Sequence, residues 1–203
     1  MLTLTSNFAC LAVTAEQKND PVMISKRVYE EPTFKIHTLG SQELRTSSKR
    51  ITKFNQDTKL LARYMLQSMY TAKGIGLAAP QVGIDKQLIV IDLDFENSAT
   101  PPIVLINPEI VTNSISVNTY EEGCLSIPGV YLDVIRSSII EVNFRDEQGR
   151  PRSLRADGLL ARCIQHEMDH LKGILFVDRV TNKAELNKVL QENEMNLSDV
   201  HSL

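Results

Sequence analysis

The chain has 203 residues, a formal net charge of -3, 42% hydrophobic and 23% charged residues, no tryptophan and three cysteines. That length can bury a core without staples. The composition excludes bulk disorder, and the slight acidity excludes a surface built to neutralise nucleic-acid phosphates, so no direct nucleic-acid substrate is expected. Cys10, Cys124 and Cys163 cannot all pair and are too few for a disulfide scaffold, which points to a reducing compartment. No apolar run approaches the roughly 20 residues that span a bilayer, so no membrane partner is expected either.

In chain order, residues 1–33 lack the positive start and strong apolar run of a secretory signal, and no Lys or Arg precedes Lys18. They read as a flexible extension, with Met23 an alternative start. Leu61, Tyr64, Met65, Ser68 and Met69 recur at helical spacing, predicting an amphipathic helix over 57–70 with Asp57 near its start. The stretch "KGIGLAAPQVG" then stops any helix and leaves backbone accessible. Residues 87–93 and 103–106 read as buried strands, the second broken at Pro108. A strand leads into Cys124, a turn is expected at Pro128 and Gly129, and another strand follows. A hairpin pairs 138–144 with 152–156 through "DEQG".

Asp157 is placed to cap a helix that Gly173 stops, with Leu160, Ile164, Met168 and Leu171 as its apolar stripe. Leu186, Val189 and Leu190 give the inner face of a final short helix, and "NLSDVHSL" is expected to fray. The whole predicts an α+β fold, with short antiparallel and mixed sheets packed around the helix at 158–173 and a C-terminal helix beyond.

That central helix carries "CIQHEMDHLKG". Residues four apart share a helix face, so His166 and His170 can present both imidazoles to one ion. Glu167 lies about 100° around the helix, beside the ion rather than on it, where a general base belongs. Two of the chain's four histidines fall in this window, which weighs against chance on a charged helix face. A catalytic site of this kind takes three protein ligands and leaves the fourth position open.

By chemistry the third ligand comes from Cys10, His37, Cys124, Cys163 or His201. Cys163 reads better as a small packed hydrophobe, and the other histidines as surface residues. Cys124, in "EEGCLSIPG" beside the permissive Gly123, would complete a Cys-His-His set.

Three separated stretches, "GIGLAAPQ", "EGCLS" and "QHEMDHLKG", together resemble the peptide deformylases of the bacterial and plastid-like type. The resemblance implies a catalytic domain over 34–180, flanked by the extension at 1–33 and by a C-terminal helix and tail at 181–203. It implies one divalent metal held by Cys124, His166 and His170, natively Fe2+, with Zn2+, Ni2+ or Co2+ also suited to the donors. Glu167 would be the base, and the Gln81 side chain and Leu125 N–H would hold the substrate carbonyl.

Further implied are backbone for an extended peptide at Gly74, Ile75, Gly76 and Gly123, and a methionine pocket floored near Cys163 and rimmed by Ile75, Ile127 and Tyr131. Arg136 would pair with Glu122, and Asp169 would join them in steadying the ligands. The implied reaction is hydrolysis of the formyl group from the formyl-methionine end of a nascent polypeptide, giving formate and a free amino terminus. A transient ribosome contact belongs to the same expectation, although the segment after Val180 has two lysines against four acids. Bacterial cytoplasm is the expected compartment, with a plastid or similar organelle the alternative. The rivals are a zinc endopeptidase, which needs a downstream Glu or His pattern not found after Gly173, and a closed structural zinc module, against which Glu167 and Gln81 both count.

Overall fold

The structure, a computed structural model, describes residues 26–28 and 30–203. Cys10, Met23 and most of the expected extension lie outside the described residues. Helix α1 (Gln56–Thr71) starts where the Asn55 side chain accepts the Thr58 N–H, with Asp57 in its first turn as expected. Its buried face is Leu61, Ala62, Met65, Leu66 and Met69. Strands β1 (Gly76–Ala78) and β2 (Leu88–Ile91) are buried along their whole length, as an uninterrupted apolar run requires.

These two join β3 (Ile103–Asn113), β6 (Ile139–Arg145) and β7 (Pro151–Asp157) in a five-stranded sheet of order β1-β2-β3-β6-β7. A separate ribbon pairs β4 (Val117–Cys124) with β5 (Ile127–Ser137). Every one of these pairings is antiparallel. Helix α2 (Gly158–His170) packs against β1, β2, β6 and β7 of the large sheet and against β5 of the ribbon. The α+β class with a central motif helix is therefore the observed architecture.

Local expectations fare unevenly. Pro108 does not end β3; the strand continues to Asn113 through a register shift between Ile106 and Glu109, where Asn107 adopts φ 52°. Proline is tolerated at such a bulge because no ladder N–H is required there. The turn after the cysteine is made by Leu125 and Ser126, while Pro128 and Gly129 lie inside β5. Gly129, at φ +81°, absorbs the extra residues where the register slips between Gly123 and Cys124.

Asp157 occupies the cap position of α2 but its side chain makes no capping bond. The last helix, α3 (Lys183–Glu192), buries Leu186 and Leu190 in a cluster with Ile127, Val130, Leu132, Val134 and Phe176. Each such side chain contributes about 1.5–3 kcal/mol by leaving water. The tail beyond α3 is tethered rather than frayed: His201 N–H bonds Asp178 Oδ1 at 2.8 Å, and Arg45 bonds both Asp178 and the Asp199 carbonyl. Asp178 is a buried acid, and these donors satisfy it.

Candidate metal centre

Helical spacing on α2 puts His166 and His170 on one face, their ring centroids 5.2 Å apart and their planes edge to face at 70°. Cys124 arrives from the end of β4, and the tight turn that follows bends its Sγ towards α2, 3.3 Å from His170 Nε2. Ligand atoms of all three residues lie within 4.8 Å of one another, the one such group of three among the described residues. A tetrahedral ion with ordinary Zn–N and Zn–S bonds would hold its donors roughly 3.5 Å apart. The thiolate and two imidazoles thus fit a borderline divalent metal in both spacing and donor chemistry. His37 instead pairs with Glu43, and Cys163 is buried against the Ile75 carbonyl, so neither supplies the third ligand.

The surroundings orient these donors. Glu122, beside the cysteine on β4, meets His166 Nδ1 at 2.8 Å, which leaves Nε2 for an ion. Both Glu122 oxygens also accept from Arg136, at 2.6 and 2.9 Å, and Oε1 accepts from Arg162 at 2.7 Å. Burial alone would raise the Glu122 pKa, but the Arg136 and His166 hydrogen bonds outweigh it and hold the carboxyl well below the usual range. Asp169 accepts from Arg136 and from Arg179, each at 2.6 Å. The predicted Glu122, Arg136 and Asp169 thus form one buried network behind the ligands.

Arg162 and Arg179 belong to that network and were not singled out from the sequence. Arg162 stands four residues before His166, so a reading of that helix face would have found it. Arg179 comes from a short 3-10 turn, Phe176–Arg179, beyond the helix. Only the tertiary fold brings it to Asp169.

Glu167 is 4% exposed, and its Oε2 is buried without a hydrogen-bond partner. Burial pushes its pKa up to about 7; His166 opposes the rise and Glu122 adds to it. Strand β1 passes so close that a Cβ on Gly76 would stand 2.5 Å from Glu167 Oε1 and 2.7 Å from Cys163 Sγ, so only glycine fits. Gln81 is fully enclosed. Its Oε1 accepts the Ala78 N–H at 2.8 Å, which turns the amide nitrogen towards Cys124 Sγ, 3.5 Å away, and Ser126 Oγ, 3.1 Å away.

A cavity of about 610 Å³ opens over this centre. Cys124, His166, Glu167 and Gln81 form its polar end, and Gly74, Ile75, Gly76, Gly123, Leu125, Ile127, Tyr131 and Cys163 form its walls. Ile75 and Tyr131 are exposed at the mouth, but Ile127 is fully buried and so is wall rather than rim. His170, Arg136 and Asp169 lie behind the surface.

A profile of the family described as polypeptide deformylase matches residues 33–185. A peptide deformylase of Parasynechococcus marenigrum (strain WH8102) is 62% identical over 200 residues, covering 98% of this chain and 100% of its own length. That similarity therefore takes in most of residues 1–33 as well. Among solved structures, a peptide deformylase from Synechococcus elongatus in complex with actinonin is 53% identical, covers 89% of this chain and 98% of its own, and superposes with a TM-score of 0.88. A plant peptide deformylase is 39% identical, covers 82% of this chain and 92% of its own, with a TM-score of 0.76.

Proposed function

This chain belongs to the polypeptide deformylase family, the metallohydrolases that free nascent polypeptides of their formyl group, and we propose how its own residues divide that reaction. The carrying observation is the Glu167 carboxylate, buried with an unpartnered oxygen on the wall that also presents Cys124 and His166, with His170 grouped with them just behind it. A divalent ion held by those three residues would make a water acidic enough to be nucleophilic near neutral pH and would polarise the formyl oxygen.

Glu167 takes the proton of the attacking water and later delivers it to the departing nitrogen. The oxygen that gains charge as the formyl carbon becomes tetrahedral meets the Gln81 amide N–H and the Leu125 N–H. One such donor is worth about 3–4 kcal/mol in acyl-transfer enzymes. Gln81 is suited to the task because Ala78 fixes its amide before substrate arrives.

Methionine fills the apolar part of the cavity near Cys163, Ile127 and Tyr131, and the peptide lies along residues 74–76 and Gly123 through main-chain bonds, which bind without reading sequence. Formyl is preferred over acetyl because formyl carries only hydrogen where acetyl carries a methyl, and the wall beside Glu167 is already closely packed by the Gly76 backbone. Ferrous iron is the native ion we propose, on the family resemblance; Zn2+, Ni2+ and Co2+ also suit a thiolate with two imidazoles. We take residues 34–180 as the catalytic unit and bacterial cytoplasm as its compartment, in line with the relatives and the free thiols of Cys124 and Cys163. No helix among the described residues is long and apolar enough to cross a membrane. A transient ribosome contact is the remaining partner, and the acidic C-terminal segment keeps it weak, because RNA phosphate finds few cations there.

Formate release from a formyl-Met tripeptide by anaerobically purified protein tests this reading, with acetyl-Met and internal-peptide substrates in parallel. Turnover of the formyl peptide alone, lost in Cys124→Ala, is the expected result. Cleavage of the internal peptide would move the chain to the endopeptidases.

A further inference from the structure

We infer that Lys26 is a positioning residue for the cavity wall at residues 74–76, acting through Asp92; this rests on the proposed reading of that wall as part of the substrate site. Lys26 lies outside the stretch matched by the family profile, residues 33–185. Its side chain is nevertheless only 5% exposed and reaches into the domain to an acid whose own side chain is 1% exposed. Lys26 Nζ stands 2.8 and 3.1 Å from the two Asp92 oxygens and donates to the Asp94 carbonyl at 2.9 Å.

Asp92 follows β2 and grips both ends of the segment that forms the wall. On the incoming side Tyr70, in the last turn of α1, donates its hydroxyl to Asp92 Oδ2 at 2.6 Å. On the outgoing side the Asp92 N–H donates to the Ile75 carbonyl at 2.9 Å. Between these anchors the chain turns through Lys73 at φ 57° and Gly74, where a Cβ would stand 2.6 Å from the Leu125 side chain. Ile75 then projects, 43% exposed, at the cavity mouth.

A buried carboxylate is stable as an anion only with a counter-charge. Without the Lys26 ammonium, Asp92 keeps the neutral Tyr70 hydroxyl and the Asp94 N–H, and its grip on the 70–75 segment loosens. The metal ligands are steadied by a different set of residues, Glu122, Arg136, Asp169 and Arg162, which share no bond with Asp92. Asp92 anchors residues 70 and 75 rather than the ligands or Gly76, which packs on Glu167, so the expected effect falls on substrate binding more than on the chemical step.

The test compares Lys26→Met, Lys26→Arg and Ile75→Ala in the full-length, metal-loaded enzyme, by kcat and KM on a formyl-Met tripeptide. Lys26→Met should raise KM on the order of tenfold with kcat within about twofold, and Lys26→Arg should return KM to within about twofold of the parent. An unchanged KM in Lys26→Met, with KM raised in Ile75→Ala, overturns the role of Lys26 and leaves the wall as substrate site. An unchanged KM in Ile75→Ala overturns the reading of the wall, and the inference with it. A fall in kcat and metal content that Lys26→Arg does not rescue reduces Lys26 to a folding role and also overturns it. Should Lys26→Met fail to fold, Tyr70→Phe withdraws the other side-chain donor from Asp92 and must raise KM in the same direction; an unchanged KM there is equally fatal.

Discussion

Burial acts on Glu122 and Glu167 alike, yet the two carboxylates end in opposite states because only one of them has guanidinium partners. Arg136 and Arg162 hold Glu122 as an anion that orients His166, whereas Glu167, with an oxygen left unpartnered, is raised to about 7. A carboxylate with that proton affinity can both accept and return a proton near neutral pH. Glu167→Ala is therefore expected to lower kcat by at least about a hundredfold while metal content stays near one ion per chain. Elemental analysis beside the turnover assay checks both halves, and activity above a few per cent of the parent would remove Glu167 from the base role.

At the scale of elements, the network around Glu122 and Asp169 fastens β4, β5, α2 and the 3-10 turn at Phe176–Arg179 to one another, so the ligands from β4 and α2 keep a fixed separation. The hairpin between β6 and β7 has its own device. Asp146 accepts from the N–H groups of Gln148 and Arg150 and from Arg152 Nε, at 2.9–3.0 Å. Burial would raise its pKa, but these bonds, the Arg150 N–H foremost, leave it lowered. A carboxylate with a depressed folded pKa stabilises the fold fully above its unfolded pKa of about 3.9, and loses that contribution as pH falls through the folded value. Asp146→Asn should thus cost about 1–2 kcal/mol at pH 7. In urea melts at descending pH the cost should shrink below about pH 4, and a cost independent of pH would rule out the charge as its source.

For the molecule as a whole, α2 is the hinge of the architecture: its apolar side, Ile164, Met168 and Leu171, packs into a cluster with β2, β3, β6 and β7, and its polar side faces the ribbon and the cavity. The ion-binding set joins the ribbon, through Cys124, to this helix, which packs on the large sheet, so an ion that binds only the folded chain must stabilise the fold globally. At a hundredfold excess over its Kd the gain is about 2.7 kcal/mol, which for a chain of this size corresponds to roughly 2–4 °C in Tm per kcal/mol. Thermal melts with and without a chelator should differ accordingly. Identical Tm values would separate the Cys-His-His set from metal binding.

The sequence by itself determined the elements with strong periodicity and the residues whose spacing is local. His166, Glu167 and His170 are on one short helical stretch, and the helix α1 stripe and the hairpin over 138–156 follow the same rule of fixed period. Cys124 was reachable by chemistry and by resemblance, though not by spacing, because its approach to α2 depends on the β4–β5 ribbon. The tertiary structure alone decided that β3 runs on through Pro108, that the turn falls at Leu125 and Ser126, that the C-terminal tail is tied to Asp178, and that Arg179 and Lys26 meet their acids. In these cases the deciding partner lies outside the local repeat, from ten residues away for Arg179 and Asp169 to 66 for Lys26 and Asp92. A bulge, a buried ion pair or a tether is stable only once the opposing surface exists, and a local pattern carries no record of that surface.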